Sequence, residues 1–454
     1  MVSLGCAKNL VDAEIALGAL LGKNFELAVD PRLADIVLIN TCGFIESARE
    51  EAYGVIDEYV ELKREKRGAL KVVAMGCLAQ RRRGDLLTRH PELDAVWGLG
   101  VLSDIDRAVS QLLSCGDSDP SGHDDLRRHP CGGPRLVSTP ISFSYLKIAD
   151  GCDNRCRYCS IPDIRGAMRS RDPDDLLTEA RILEARGSSE LVLIAQDTTV
   201  YGRDLDRGDI SLATLLERLL ATTSFPRIRV LYAHPAHLDE RVRGLLLSET
   251  RLCRYLDLPL QHVSDSMLRA MGRGYGWERV HELVDAFSAA KDFTLRSTLL
   301  TGFPGESEAD FLEMLDLVRS GAFRHLGAFA YSPEAGTPAF ALPDRVPGEE
   351  AERRRDALLD AQQHIAFSWL DSRVGNTEDV LVDKMLGGGW HEGRTASEAP
   401  DADGVVLVNG KTRPGTLVSA CITGRDGYDL IAGIAETGNG KMAGKGRGHR
   451  RGRR

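Results

Sequence analysis

Between residues 140 and about 345 one rhythm recurs six times: an apolar run short enough for a β-strand, then a helical stretch. The runs are FSYLKIADGC, ELVLIAQDT, RIRVLYAHP, YLDLPLQH, TLRSTLLTGFPGE and LGAFAYSPEAGT, with segments such as DPDDLLTEARILEARG between them. Six β/α units predict an incomplete barrel whose functional face lies at the carboxyl ends of its strands.

Just after the first of these strands stands GCDNRCRYCSIPDIRG, residues 151–166, in which Cys152, Cys156 and Cys159 are spaced CxxxCxxC. A structural zinc site closes its tetrahedron with four Cys or His ligands, usually in paired elements, and no local fourth ligand is present. A cubane iron–sulfur cluster fits better, because three thiolates hold three of its irons and leave the fourth open for chemistry. The neighbours Gly151, Asp153, Asn154 and Arg155 make a polar loop, which argues against a buried structural trio.

Residues 1–115 alternate strand and helix as well: MVSLGC, ADIVLINTC and LKVVAMGC are separated by EIALGALLGK and ESAREEAYGVIDEYVELKREK. This pattern predicts a parallel α/β domain. Each strand ends in a cysteine beside a glycine, Cys6, Cys42 and Cys77. Parallel strands bring their carboxyl-end loops to one edge, so the three cysteines are expected to meet there as a second tri-thiolate site. The alternative is three half-buried strand-end cysteines. Ten cysteines in 454 residues are too sparse for a disulfide framework. No apolar run has transmembrane length and the amino-terminal stretch does not read as a signal peptide, so the cytoplasm is the expected compartment.

Residues 116–139 are rich in Gly, Pro, Ser and charge, and read as an inter-domain linker. A helix over about 348–372 follows the barrel (140–372 together), and DVLVDKM, GVVLVNG and GTLVSACI predict a small all-β barrel over 373–435. Net charge is −9, of which the Gly/Arg-rich tail 436–454 contributes seven Lys/Arg against one acid, leaving about −15 for the rest. The small barrel carries nine acids and five Lys/Arg. The body is therefore not expected to coat nucleic acid, and the tail is expected to be disordered.

The CxxxCxxC loop on a six-unit barrel resembles the radical S-adenosylmethionine (SAM) superfamily. With Cys6, Cys42 and Cys77 ahead of it and a TRAM-like β-barrel behind, the chain is similar to the methylthiotransferases. SLGCAKNLVDAE, AQDTTVYG, YAHPAHL, LPLQH, TGFPGE and YSPEAGTPA resemble the RimO branch; the tRNA-modifying MiaB-type branch typically has Gln after the first cysteine, where this chain has Ala7 and Lys8.

That resemblance implies two [4Fe–4S] clusters, one on Cys152, Cys156 and Cys159 and one on Cys6, Cys42 and Cys77. It implies SAM as both methyl donor and source of a 5'-deoxyadenosyl radical, and methylthiolation of an aspartate β-carbon in small-subunit ribosomal protein twelve. Tyr158 would border the adenine, Gln196 and Asp197 the SAM amino group, Gln261 the ribose and Arg296 the carboxylate, with Gly302 to Glu306 a tight loop nearby. An electron donor such as a flavodoxin is implied, and the tail is a candidate for ribosomal RNA contact. The acidic small barrel is expected to recognise a basic protein and to be separable, so that loss of 374–435 spares SAM cleavage. The alternatives are tRNA adenosine methylthiotransfer and an iron–sulfur electron carrier. An unactivated C–H bond leaves acid–base or nucleophilic catalysis little purchase, which makes a cofactor-borne radical the coherent choice.

Overall fold

The computed structural model describes residues 1–23, 25–115, 123–206, 208–290 and 292–435; the expected tail, 436–454, and residues 116–122 of the expected linker lie outside the described residues. In the amino-terminal domain β1 (Val2–Ser3), β2 (Ile36–Thr41), β3 (Lys71–Gly76) and β4 (Ala95–Trp97) form one parallel sheet in that order. The strand period of two sorts its apolar side chains between the faces. Val37, Ile39, Val72 and Ala74 pack with α2 (Glu46–Glu65) and α3 (Cys77–Arg89), while Leu38, Val73, Met75 and Trp97 pack with α1 (Ala7–Leu21) and α4 (Ile105–Cys115). β4 adds to the three strands legible in the sequence, since three residues are too few to display a period.

The second domain is a split barrel. β5 (Phe143–Lys147), β8 (Glu190–Ile194) and β9 (Arg227–Val230) make one parallel sheet, and β10 (Tyr255–Asp257), β11 (Thr294–Thr301) and β12 (His325–Ala330) make another. A parallel bridge between Ile228 and Leu252 joins the halves. Among the described residues no ladder returns from β12 to β5, so the barrel stays open, as six units predict. The short antiparallel pair β6 (Ala149–Asp150) and β7 (Arg169–Ser170) brackets the cysteine loop, which ends in α5 (Ile161–Arg165). Outside run α6 (Pro173–Ala185), α7 (Leu212–Thr222), α8 (Glu240–Ser248), α9 (Asp265–Ala270), α10 (Trp277–Ser288) and α11 (Glu308–Arg319). Several start where a side chain satisfies first-turn N–H groups: Asp172 accepts from Asp174, Asp239 from Val242, and Ser211 and Ser307 close capping boxes.

Residues 123–139 are tied down along their length. Leu136 N–H donates to Glu14 O (3.0 Å), Ser138 N–H to Glu14 Oε1 (2.6 Å), and Arg135 Nε to Glu179 Oε1 (2.9 Å). The segment thus fastens α1 of the first domain to α6 of the barrel.

After α12 (Gly348–Arg373), strands β13 (Thr377–Gly387), β14 (Trp390–Arg394), β15 (Val406–Asn409), β16 (Leu417–Asp426) and β17 (Asp429–Ile434) close a barrel in the order β13-β14-β15-β17-β16. Val380, Val382, Val406, Val408, Ile422 and Leu430 fill it. The sequence shows three of the five strands. WHEGR has a glycine and two charges in five residues, and so no apolar alternation to read.

The small barrel, expected to be separable in function, is packed against the large one through polar contacts. Its β14–β15 connection, residues 395–403, enters the amino-end mouth of the large barrel. Asp403 Oδ1 accepts from Arg296 Nη1 (2.6 Å) and its Oδ2 from Tyr255 Oη (2.7 Å). Asp401 Oδ2 accepts from Tyr145 Oη (2.8 Å), and Arg229 Nη1 donates to Ala396 O (3.0 Å). Arg394 Nη1 reaches Glu190 Oε2 (3.0 Å) at the first residue of β8. Removing 374–435 would uncover this mouth and take from Arg296, Tyr255 and Tyr145 the acceptors they hold there, while Glu190 would keep Arg229. Among the described residues no helix is long and apolar enough to cross a membrane.

Candidate active site

Parallel pairing sets Ser3 beside Asn40 and Thr41 beside Gly76, so the ends of β1, β2 and β3 come level. The loops they feed carry Cys6, Cys42 and Cys77. Close approach demands glycine at two points. Gly5 has φ +86°, and a Cβ there would lie 2.7 Å from Cys42 Cβ; at Gly76, φ +93°, it would lie 2.2 Å from Asn40 Oδ1.

Asn9, in the first turns of α1, staples the three loops. Its Nδ2 donates to Leu4 O (3.0 Å) and Thr41 O (3.2 Å), and its Oδ1 accepts from the Cys77 thiol (3.3 Å). Asn40 Nδ2 donates in turn to Asn9 O (2.7 Å). Burial would raise the Cys6 thiol, but the Lys8 ammonium and Arg165 guanidinium outweigh it and hold it below its ordinary value. Burial pushes Cys77 up to about 12, against the pull of Arg165.

The second trio hangs on the loop between β6 and α5. Gly151 (φ +75°) lets the chain double back, since a Cβ there would stand 2.0 Å from Ala167 O. Cys152 N–H donates to Gly166 O (3.0 Å) and Cys159 N–H to Cys156 O (3.1 Å). Two donors reach sulfurs: Ile161 N–H to Cys159 Sγ (3.5 Å) and Arg273 Nη1 to Cys156 Sγ (3.4 Å). Burial raises Cys152 to about 11 and Cys159 to about 12.

All ten cysteines are free. Among the described residues the groups tight enough to share one ion are Asp197, His234 and His237, and Asp12, His129 and Asp150, and neither includes a cysteine. Each trio offers three thiols, donors aimed at sulfur, and a spread wider than a single ion requires. That set fits an iron–sulfur cubane with one iron left open, and ligation would have to drive off the protons that burial retains on Cys77, Cys152 and Cys159.

Between the trios lies a buried ionic network. Arg165 Nη1 donates to Asp150 Oδ2 (2.9 Å), and its Nη2 to Asp12 Oδ2 (2.9 Å), Asn9 Oδ1 (2.6 Å) and Cys77 Sγ (3.4 Å). Lys147 Nζ joins Asp12 (2.5 Å) to Asp150 (3.0 Å), and His129 sits between the same carboxylates at 3.4 and 3.2 Å. Asp150 is two residues before Cys152, so one network holds both cysteine loops.

Three segments match known families: residues 1–98 an uncharacterized protein family, UPF0004; residues 146–318 the radical SAM superfamily; and residues 374–434 the TRAM domain. The chain is 40% identical over 442 residues to the ribosomal protein uS12 methylthiotransferase RimO of Clostridioides difficile (strain 630), covering 95% of this chain and 97% of that one. It is 41% identical to the protein of the same name from Anaeromyxobacter sp. (strain K), covering 96% and 92%. The chain belongs to the RimO family of radical SAM methylthiotransferases. Among solved structures, the radical SAM methyltransferase TsrM from Kitasatospora setae shares the fold, with a TM-score of 0.54 at 14% identity, covering 90% of this chain and 78% of that one.

The residues expected to contact SAM in a RimO-type barrel are not all brought together. Tyr158 packs with Met267, Met271 and Phe303 beside its cysteines, and its Oη accepts from Arg273 Nη1 (3.2 Å). Gln196 Nε2 donates to Asp150 Oδ1 (3.0 Å), while its buried Oε1 has no hydrogen-bond partner. Asp197 Oδ2 accepts from Asn154 Nδ2 of the cysteine loop (2.8 Å) and pairs with His237 Nδ1 (2.9 Å). Gln261, at φ +70°, joins β11 through its backbone, donating to Thr298 O (2.8 Å) and accepting from Leu300 N–H (2.7 Å). Arg296 stands apart. It is the third residue of β11, near the amino end, and Asp403 and Asp257 (3.6 Å) engage it. Gly302 N–H donates to Glu306 Oε2 (2.8 Å), which closes the tight loop expected there.

Sequence reasoning missed Asn9, Asp12, Asn40, His129, Lys147, Asp150 and Arg165. Asn9, Asp12 and Arg165 lie inside quoted motifs, and Asn40, Lys147 and Asp150 inside quoted strand runs that end in a cysteine, so their place beside the cysteines was a usable signal. His129 offered none.

Proposed function

We propose that this enzyme methylthiolates the β-carbon of an aspartate in ribosomal protein uS12, the substrate named for its relatives, with two [4Fe–4S] clusters and SAM. The observation that supports it most is the bond from Arg165 to Cys77 Sγ (3.4 Å) while Arg165 also holds Asp150 beside Cys152: two tri-thiolate sites fixed by one rigid group. When bound, the clusters and SAM would supply a radical able to take an unactivated hydrogen and a sulfur to replace it.

The chain's own residues do the positioning. Cys152, Cys156 and Cys159 would hold one cluster at the barrel's carboxyl-end mouth, and Cys6, Cys42 and Cys77 the other at the facing sheet edge. Asn154, Asp197 and Gln196 line the first site, where the unpartnered Gln196 Oε1 offers an acceptor to an ammonium group. Asn9 and Arg165 keep the second from drifting against the first. Fixing the two sites relative to each other would favour reaction between groups held at each, which rewards this rigidity.

We place the enzyme in the cytoplasm with its ribosomal substrate, with a flavodoxin-like electron donor, and with the acidic TRAM-type barrel facing a basic partner. Full-length similarity to RimO proteins supports the protein substrate over a tRNA adenosine. The test is mass spectrometry of small-subunit proteins and tRNA from a deletion strain and its complement. A methylthio mass restored on an aspartate of uS12 supports the reading, and one restored only on tRNA overturns it.

A further inference from the structure

Lys8 is a buried cation with unused donors; its charge bears on the Cys6 thiol, but among the described residues no hydrogen bond ties its ammonium to either cysteine trio. It is the second residue of α1, two positions after Cys6, and only 9% exposed. The side chain leaves its own domain. Nζ stands 3.3 Å from the centroid of the Tyr232 ring and 3.5 Å from Ala195 O, groups just past the carboxyl ends of β9 and β8. The ammonium therefore lies in the mouth of the barrel, on the side that faces Cys6.

The other buried cations named for the two sites each hold a carboxylate or several polar acceptors. Asp12 and Asp150 hold Lys147 and Arg165. Arg273 serves Pro259 O (2.6 Å), Tyr275 Oη (3.2 Å), Tyr158 Oη and Cys156 Sγ, and Arg296 serves Asp403. Lys8 has three N–H groups, and among the described residues they meet one carbonyl, at the limit of hydrogen-bond length, and one aromatic face. No carboxylate pairs with it. A buried ammonium with donors to spare and no carboxylate at ion-pair distance is equipped to receive an anionic group.

The support beneath Lys8 is itself strained. Tyr232 has φ +60°, a conformation uncommon for a bulky residue. It is held by its N–H on Asp257 Oδ2 (3.1 Å) and its carbonyl on Thr198 N–H (3.1 Å). The strain presents the ring flat to the ammonium, which fixes a cation while leaving its other donors free.

We propose that Lys8 is the specificity-determining residue that receives the carboxylate of the substrate side chain, so that an aspartate is held between the two cysteine sites and its uncharged amide is refused. This rests on the substrate reading above. It adds which group of the enzyme recognises the acid.

The test uses the full chain with reconstituted clusters and two uS12 peptides, one with the target aspartate and one with asparagine in its place. Iron content and the visible spectrum check that Lys8→Gln and Lys8→Arg are assembled. In Lys8→Gln the KM for the aspartate peptide should rise about tenfold or more and the preference for Asp over Asn should fall to near unity, since a site built for one polar group discriminates through it. Lys8→Arg should keep part of the preference. A fully loaded Lys8→Gln enzyme with wild-type peptide KM and preference overturns the proposal. So does a KM change confined to SAM, or loss of iron from the variant, which would make Lys8 a support for the cluster. Wild-type enzyme that modifies neither peptide but methylthiolates RNA overturns the substrate reading, and this one with it.

Discussion

Arg165 donates to the Sγ of Cys77 at 3.4 Å, from the loop that carries one cysteine trio to the domain that carries the other. Both residues are buried, and the guanidinium is saturated by Asp12, Asp150 and Asn9. The relationship makes the distance between the two sites a property of side-chain packing instead of chain connection.

Arg165→Met should therefore both destabilise and disorganise. Removing one partner of a buried ionic network costs about 3–5 kcal/mol. The variant is expected to melt earlier and to lose iron from the Cys6, Cys42 and Cys77 site, with Arg165→Lys intermediate. Iron assay and a thermal melt check this; unchanged iron in a destabilised variant would restrict Arg165 to stability.

The two cysteine sites should be separable in function. Replacing Cys6, Cys42 and Cys77 by Ala should roughly halve the reconstituted iron and leave reductive formation of 5'-deoxyadenosine, while no sulfur enters the product. Replacing Cys152, Cys156 and Cys159 should end both. Methylthio product from the first variant would show that its cysteines do not handle sulfur.

Acid should unlock the joint between the large and small barrels. Burial would raise the Glu190 carboxyl, but Arg229 (2.6 Å) and Arg394 (3.0 Å) outweigh it and hold it at about 2. A depressed carboxyl contributes stability that is complete above its unfolded value near 4.5 and is lost as pH falls toward about 2. Wild type should exceed Glu190→Gln by on the order of a few kcal/mol at neutral pH. Urea midpoints of the two should converge as pH falls from about 5 to about 2; a gap that is independent of pH would remove the ion pair as its cause.

Asp403→Ala should release the connection 395–403 from the barrel's amino-end mouth. It strips Arg296 and Tyr255 of their shared acceptor. Hydrogen exchange should rise in 395–403 and in the amino-terminal residues of β10 and β11, with a stability loss of about 3–5 kcal/mol. Protection equal to wild type would show that the remaining bonds suffice.

The sequence by itself determined the two cysteine trios, the six-unit barrel and the order of the domains. These are matters of local period and spacing: an apolar run ending in Gly-Cys can be read without knowing where the chain goes next. The tertiary structure alone decided how the parts meet. It put Lys8 in the mouth of a barrel built from residues 143–330, Arg165 on Cys77, and the connection 395–403 under β10 and β11, which leaves Arg296 engaged at the amino end and away from the mouth that carries Cys152, Cys156 and Cys159. Each is a single polar side chain finding its partner across more than eighty residues. Such pairs are selected by burial and charge in the folded state, where an unpaired ion is expensive, and they leave no repeat in the chain to be read beforehand.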